Sequence, residues 1–128
     1  MRCFTPQSAR RTALRLTPVA SSLCRDFRTL QEALPQRRAE APVDRRYFFH
    51  AASFYRHLGQ LQAAGIVACD PLRRRFEFPA RRDGREVRLC WQLDSPAPFG
   101  WREAHTGAPI QPLSPEDRWE PGGVEIVG

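Results

Sequence analysis

The stretch RRFEFPARRDGREVRLCWQL, residues 74–93, constrains this chain more than any other, because it has one self-consistent reading as a β-hairpin. Asp83-Gly84 suits a two-residue type I′ turn, which needs φ > 0 at both corners. With the turn there, Phe76 faces Trp91, Phe78 faces Leu89, Ala80 faces Val87 and Arg81 faces Glu86. Phe76, Phe78, Ala80, Val87, Leu89, Trp91 and Leu93 then share one face, and Arg75, Glu77, Arg81, Glu86, Arg88 and Gln92 share the other. A slip of one residue would mix the two sets, so turn chemistry and apolar pattern support each other.

An apolar sheet face needs a cover, and the preceding residues supply two helical seams. Thr5 is a good N-cap, with Pro6 at the first helical position, where its missing N–H costs nothing. Apolar residues then recur at Ala9, Ala13, Leu16, Ala20, Leu23, Phe27, Leu30 and Leu34, in alternating steps of four and three. Thr17-Pro18 interrupts the seam and predicts a kink or a fresh N-cap. Pro35 to Pro42 reads as a polar connection, after which Asp44 caps a second helix running to about Ala64, with Gly65 as its stop. Its seam is Tyr47, Ala51, Phe54, Leu58 and Leu61, and the short connection makes the two helices an antiparallel hairpin.

Ile66 to Ala68 adds a short strand, and Phe99-Gly100-Trp101-Arg102 a third antiparallel one. From Gly107 onward the prolines at 109, 112, 115 and 121 argue against regular structure and leave a surface strap or a mobile tail. The expected fold is α+β: a kinked antiparallel helical hairpin packed on a two- or three-stranded antiparallel sheet. It forms a single domain over residues 1–113, with helices 5–34 and 44–64, hairpin 74–93 and strand 99–103; residues 114–128 are the tail or strap.

At 128 residues the chain can bury a modest core, and its shares of 41% hydrophobic and 27% charged residues fit a soluble globular protein. No apolar run approaches the ~20 residues of a membrane span, so no membrane partner is expected. Residues 1–25 lack acids and superficially resemble a transit peptide, but a cleavable presequence has no need of a seam reaching Leu34. Cys3, Cys24, Cys69 and Cys90 show neither a C-x-x-C pair nor metal-type spacing, which reads as four reduced thiols in a cytoplasmic protein.

All 20 basic residues are arginine, through codon pressure or through a surface selected for phosphates and carboxylates. Residues 1–93 hold 18 Arg against 8 acids, a net of +10; residues 94–128 hold 2 against 6, a net of −4. That asymmetry points to a polyanionic partner or to a tail that screens its own basic surface.

GIVACDPLRRRFEFPARRDGREVRLCWQL resembles the signature of the bacterial "domain of unknown function 2203" family: an acid before Phe-Pro, then Asp-Gly-Arg-Glu-Val, then Leu-Cys-Trp. Here these are Glu77, Phe78, Pro79, Asp83, Gly84, Arg85, Glu86, Val87, Leu89, Cys90 and Trp91, and Phe4-Thr5 and Pro18 resemble the family's opening helix. The likeness spans roughly residues 4–113. Where the family tends to show Trp-His-Glu, this chain has Trp101, Arg102 and Glu103, with His105 two positions on. The family name carries no established activity, so the resemblance implies a small bacterial α+β protein and nothing catalytic.

Three candidate sites follow from the residues. Arg73, Arg75, Arg81, Arg82, Arg85 and Arg88 form a candidate polyanion-binding set, a β-ribbon touching nucleic-acid phosphates. The plainer alternative is a solvated sheet face stitched by pairs such as Arg81–Glu86, with the aromatic rings on the opposite face and unable to stack on bases. Cys90, opposite Glu77 and beside Arg88, is a candidate reactive thiol, since a flanking arginine lowers a thiol pKa; the alternative is a small residue at a covered position. His50 and His57, seven apart and about 10 Å along a helix, cannot share a metal, so a metal site would need Glu77, Cys90, Glu103 or His105 to converge.

No phosphate loop, nucleophile elbow, zinc ribbon or dinucleotide fingerprint is present, so no catalytic residue, metal ligand set or cofactor is expected. The expected role is a non-enzymatic interaction or adaptor module, using the basic hairpin face or a helical seam. It would bind a protein partner, or a second copy through the small residues Ala9, Ala13, Ala20 and Ala51. The alternatives are weak nucleic-acid binding and a thiol- or metal-dependent activity around Cys90.

Overall fold

The first helix begins where its capping chemistry dictates. In the computed structural model, which describes residues 3–37, 45–95 and 99–120, α1 spans Pro6–Arg37. The Ser8 N–H donates to Thr5 Oγ1 at 3.1 Å and the Thr5 N–H donates to Ser8 Oγ at 2.9 Å, a reciprocal box that satisfies two donors. Of the kink or fresh N-cap expected at Thr17-Pro18, the N-cap does not form, and α1 runs on as one helix. Pro18 and Leu14, whose carbonyl loses its partner, both lie on the exposed side, so the deficit falls where water can reach it. Thr17 donates its hydroxyl to the Ala13 carbonyl at 2.8 Å. The seam faces inward, with Ala9, Ala13, Leu16, Ala20 and Leu23 buried.

Helix α2 spans Arg45–Ala63; its expected cap, Asp44, lies outside the described residues. A Schellman motif ends it. The Ile66 N–H donates to the Leu61 carbonyl at 3.1 Å and the Gly65 N–H to the Gln62 carbonyl at 3.0 Å, with Gly65 at φ 103°. Leu61 and Ile66 are both buried and supply the apolar contact that accompanies the motif. Because residues 65 and 66 are committed there, β1 starts later than expected, at Ala68–Asp70.

Strands β2 (Arg75–Arg82), β3 (Arg85–Gln92), β4 (Phe99–Glu103) and β5 (Gln111–Pro112) complete a sheet in the order β1-β2-β3-β4-β5, every neighbour antiparallel. The sheet thus has five strands rather than two or three. The hairpin register is the expected one: Phe76↔Trp91, Phe78↔Leu89, Ala80↔Val87 and Arg81↔Glu86. Asp83 at φ 51° and Gly84 at φ 77° form the type I′ corner. Pro112 is tolerated because β5 is the sheet's outer edge. Close approach at that edge requires Gly100: a Cβ there would meet Ile110 Cγ2 at 2.6 Å and the Gln111 carbonyl oxygen at 2.8 Å.

The helical hairpin covers one sheet face, uniting Phe4, the α1 seam, Leu61 and Ile66 with Phe76, Phe78, Ala80, Val87, Leu89 and Trp91. Phe4 meets Phe78 edge-on at 4.8 Å between centroids, and Phe76 lies 5.0 Å from Trp91. Each fully buried Phe contributes about 1.5–3 kcal/mol before entropy.

Beyond the three residues of β1, the free edge of β2 is closed by both ends of the described chain. The Phe4 N–H donates to the Pro79 carbonyl at 2.8 Å, the Glu120 N–H to the Arg81 carbonyl at 3.0 Å, and the Asp83 N–H to the Arg118 carbonyl at 2.9 Å. Pro79 therefore sits on the edge side of β2, where its missing N–H breaks no bond of the β2–β3 ladder. Residues 114–120 run as a strap; residues 121–128 lie outside the described set. Among the described residues no helix is long and apolar enough to cross a membrane.

Candidate functional site

The two-residue period of the strands divides the arginines expected to form one polyanion-binding set. Arg75, Arg81 and Arg88 lie on the outer face, away from the helices, whereas Arg82 and Arg85 have the parity of Ala80 and Val87 and lie on the helix side. Arg82 is occupied: Nε and Nη2 donate to Asp117 Oδ1 at 2.9 and 2.6 Å, and the guanidinium lies 4.2 Å from the Trp101 ring centroid. Arg85 comes within 3.5 Å of Glu103, and Arg73, in the β1–β2 turn, within 3.9 Å of Asp70. The six do not share one surface. Only the outer-face subset does, and among the described residues of these strands no aromatic ring shares its face.

At the centre of that outer face, Arg102 reaches from β4 back across β3 to Glu77 on β2. Its Nε and Nη2 donate to the two carboxylate oxygens at 2.6 and 2.7 Å, a bidentate pair. The small Cys90, cross-strand partner of Glu77, leaves room for that reach and is 3% exposed. Cys90 Sγ lies 3.9 Å from Glu77 Oε2 and 3.8 Å from the Arg88 carbonyl. Arg88 does not activate this thiol as expected: burial first, then the Glu77 carboxylate, push it up to about 11, against a downward pull from Arg102 and Arg75. Cys69 is pushed up to about 12, again chiefly by burial. Neither is poised as a thiolate near neutral pH.

The residues a metal would have needed do not converge. His105 Nε2 lies 2.6 Å from Glu86 Oε2, Glu103 faces Arg85, and Glu77 is held by Arg102. Among the described residues no group of three or more His, Cys, Asp or Glu side chains is arranged to hold a metal ion.

Between the helices lies a polar cluster that the sequence reading missed. Asp26 on α1 is buried, and three α2 side chains converge on it: His50 Nδ1 at 2.9 Å, the Ser53 hydroxyl donating at 2.6 Å and His57 Nδ1 at 3.4 Å. Burial raises the Asp26 pKa, but the hydrogen bonds from His50, Ser53 and His57 outweigh it and hold the carboxyl below its ordinary value. The cluster is not a nucleophile site, because Ser53 gives its proton to the carboxylate instead of to an imidazole and is itself buried. A signal did exist: His50, Ser53 and His57 recur at spacings of three and four, a polar stripe on one helix face.

That stripe faces α1 and Phe54 packs against the core, while three other aromatic residues of α2 point outward. Phe48, Phe49 and Tyr55 are 59%, 68% and 69% exposed, and at 100° per residue they share the face centred on Ala52. The seams read as interaction candidates are by contrast turned inward, Ala9, Ala13 and Ala20 being buried.

The sequence that builds these elements matches a family model. A family model described as "Uncharacterized conserved protein (DUF2203)" covers residues 2–109. The chain belongs to this family. The DUF2203 match spans both helices and β1–β4 and ends before β5 and the strap. Among curated proteins and among solved structures, nothing matches.

Proposed function

We propose that this DUF2203 protein is a non-enzymatic interaction module that docks a protein partner on the outer face of α2. The observation that carries the reading is the exposure of Phe48, Phe49 and Tyr55 on one helix face. Aromatic side chains left in water on a single face are the anchors that protein interfaces favour. The charge of the face selects the occupant. In its 19 residues α2 carries Arg45, Arg46 and Arg56 and no acid, so the complementary surface presents apolar side chains among carboxylates. A second copy meeting through this face would bring arginine towards arginine with no helix carboxylate between them, which favours a different protein.

The test compares proteins retained from host extract by the full chain and by a Phe48→Ser, Tyr55→Ser double variant. Both positions are exposed, so the variant keeps its thermal midpoint. The expected result is a partner with an acidic face that the wild type retains, raised salt releases, and the variant loses. Identical sets of retained proteins would overturn the reading, as would light scattering that shows a dimer abolished by the same substitutions.

A further inference from the structure

We infer that the outer face of the sheet binds a single small oxyanion, a phosphate or carboxylate group, at Arg88 beside the Glu77–Arg102 pair. This site is separate from the α2 face. Arg88 stands directly opposite Arg102 in the β3–β4 register, and like charges in that position destabilise a sheet unless an anion lies between them. On the same face, Glu77 has both of its oxygens held by Arg102. Glu86, two residues from Arg88 on the same strand, is drawn to His105 at 2.6 Å. Arg88 Nη1 is buried and has no hydrogen-bond partner. A buried guanidinium N–H without an acceptor costs free energy, and a planar fork of donors fits a phosphate or carboxylate oxygen pair.

The surroundings favour a small group. Pro79 and Cys90, flanking Arg88, are buried, and a site shielded from water strengthens a charge-assisted hydrogen bond. A cavity of about 190 Å³ opens on the β1 side of the same pair, lined by Asp70, Arg75, Glu77 and Arg102 among others. Its two arginines are balanced by two carboxylates. It opens onto the Glu77–Arg102 pair, not onto Arg88, and does not itself select an anion.

The test is thermal unfolding of the full chain in an anion-poor buffer at matched ionic strength, titrated in separate arms with inorganic phosphate and with succinate. The expected result is a saturable rise in the unfolding midpoint in at least one arm, the responding arm identifying the head group. Arg88→Met removes the charge and keeps the length. It is expected to lose the saturable rise while unfolding, without ligand, no earlier than the wild type, since a purely structural arginine would instead leave the variant weaker. Should Arg88→Met fail to fold, Arg88→Lys decides, its point charge lowering the apparent affinity at least tenfold. A wild type that responds saturably to neither anion overturns the inference, as does a variant that responds as the wild type does.

Discussion

At the scale of single residues, Asp26 shows how one carboxylate ties two helices together. Its folded-state pKa is depressed, so its contribution to stability is fully present above the unfolded value of about 3.9 and is lost as the pH falls below it toward the folded value. Asp26→Asn is expected to lower the unfolding free energy at neutral pH by about 1–3 kcal/mol, because the Ser53 hydroxyl and the histidines lose their charged acceptor. The same variant should flatten the decline of stability below about pH 4, and urea midpoints measured from neutral pH downward check both effects. Residues of this kind were unequally legible in the sequence. The Glu77–Cys90 pairing follows from the hairpin register, since a two-residue turn leaves no freedom. Arg102 was hidden, because its reach to Glu77 depends on where β4 aligns, and the residues joining β3 to β4 do not fix that by length. Asp26 was hidden for a similar reason: the offset of α2 along α1 decides which residues meet it, and neither seam specifies that offset.

At the scale of elements, local chemistry read well wherever it was self-contained. The capping of α1, the Schellman stop of α2 and the Asp83-Gly84 corner all depend on residues a few positions apart. Where elements compete for residues, local sequence does not decide the outcome: the helix stop takes Gly65 and Ile66, so β1 lies at Ala68–Asp70. Pro18 gave too strong a signal, because its cost depends on burial of the freed carbonyl, which sequence does not show. Pro112 misled in the opposite direction, since a proline on an edge strand is compatible with pairing. The hairpin corner supports a direct prediction. Gly84 holds φ 77° and has open space around it, so Gly84→Ala should cost about 1 kcal/mol through backbone strain alone, whereas Asp83→Asn should be neutral or better. Paired urea titrations of the two variants measure the difference.

At the scale of the whole molecule, the charge asymmetry of the sequence becomes contacts between its acidic C-terminal segment and its basic hairpin. Acids of residues 94–128 return to hairpin arginines: Asp94 to Arg74, Glu103 to Arg85 and Asp117 to Arg82. Polarity along the chain thus contributes to closure, with the strap held by Arg82 between Asp117 and Trp101. Arg82→Met is expected to loosen that strap while leaving the helices intact. The amides of Asp83 and Glu120 should then exchange faster, and trypsin should cut after Arg118 sooner; a cleavage rate equal to that of the wild type would assign the hold instead to Trp119, which forms a β-bridge with Arg82 and packs against the core. Phe4 and Glu120 donate to carbonyls two residues apart on one strand, which sets them about 7 Å from one another. That adjacency makes the topology nearly cyclic. A linker of a few residues can join position 120 to position 4, with the backbone reopened between β4 and β5, and every strand keeps its neighbours in the resulting circular permutant.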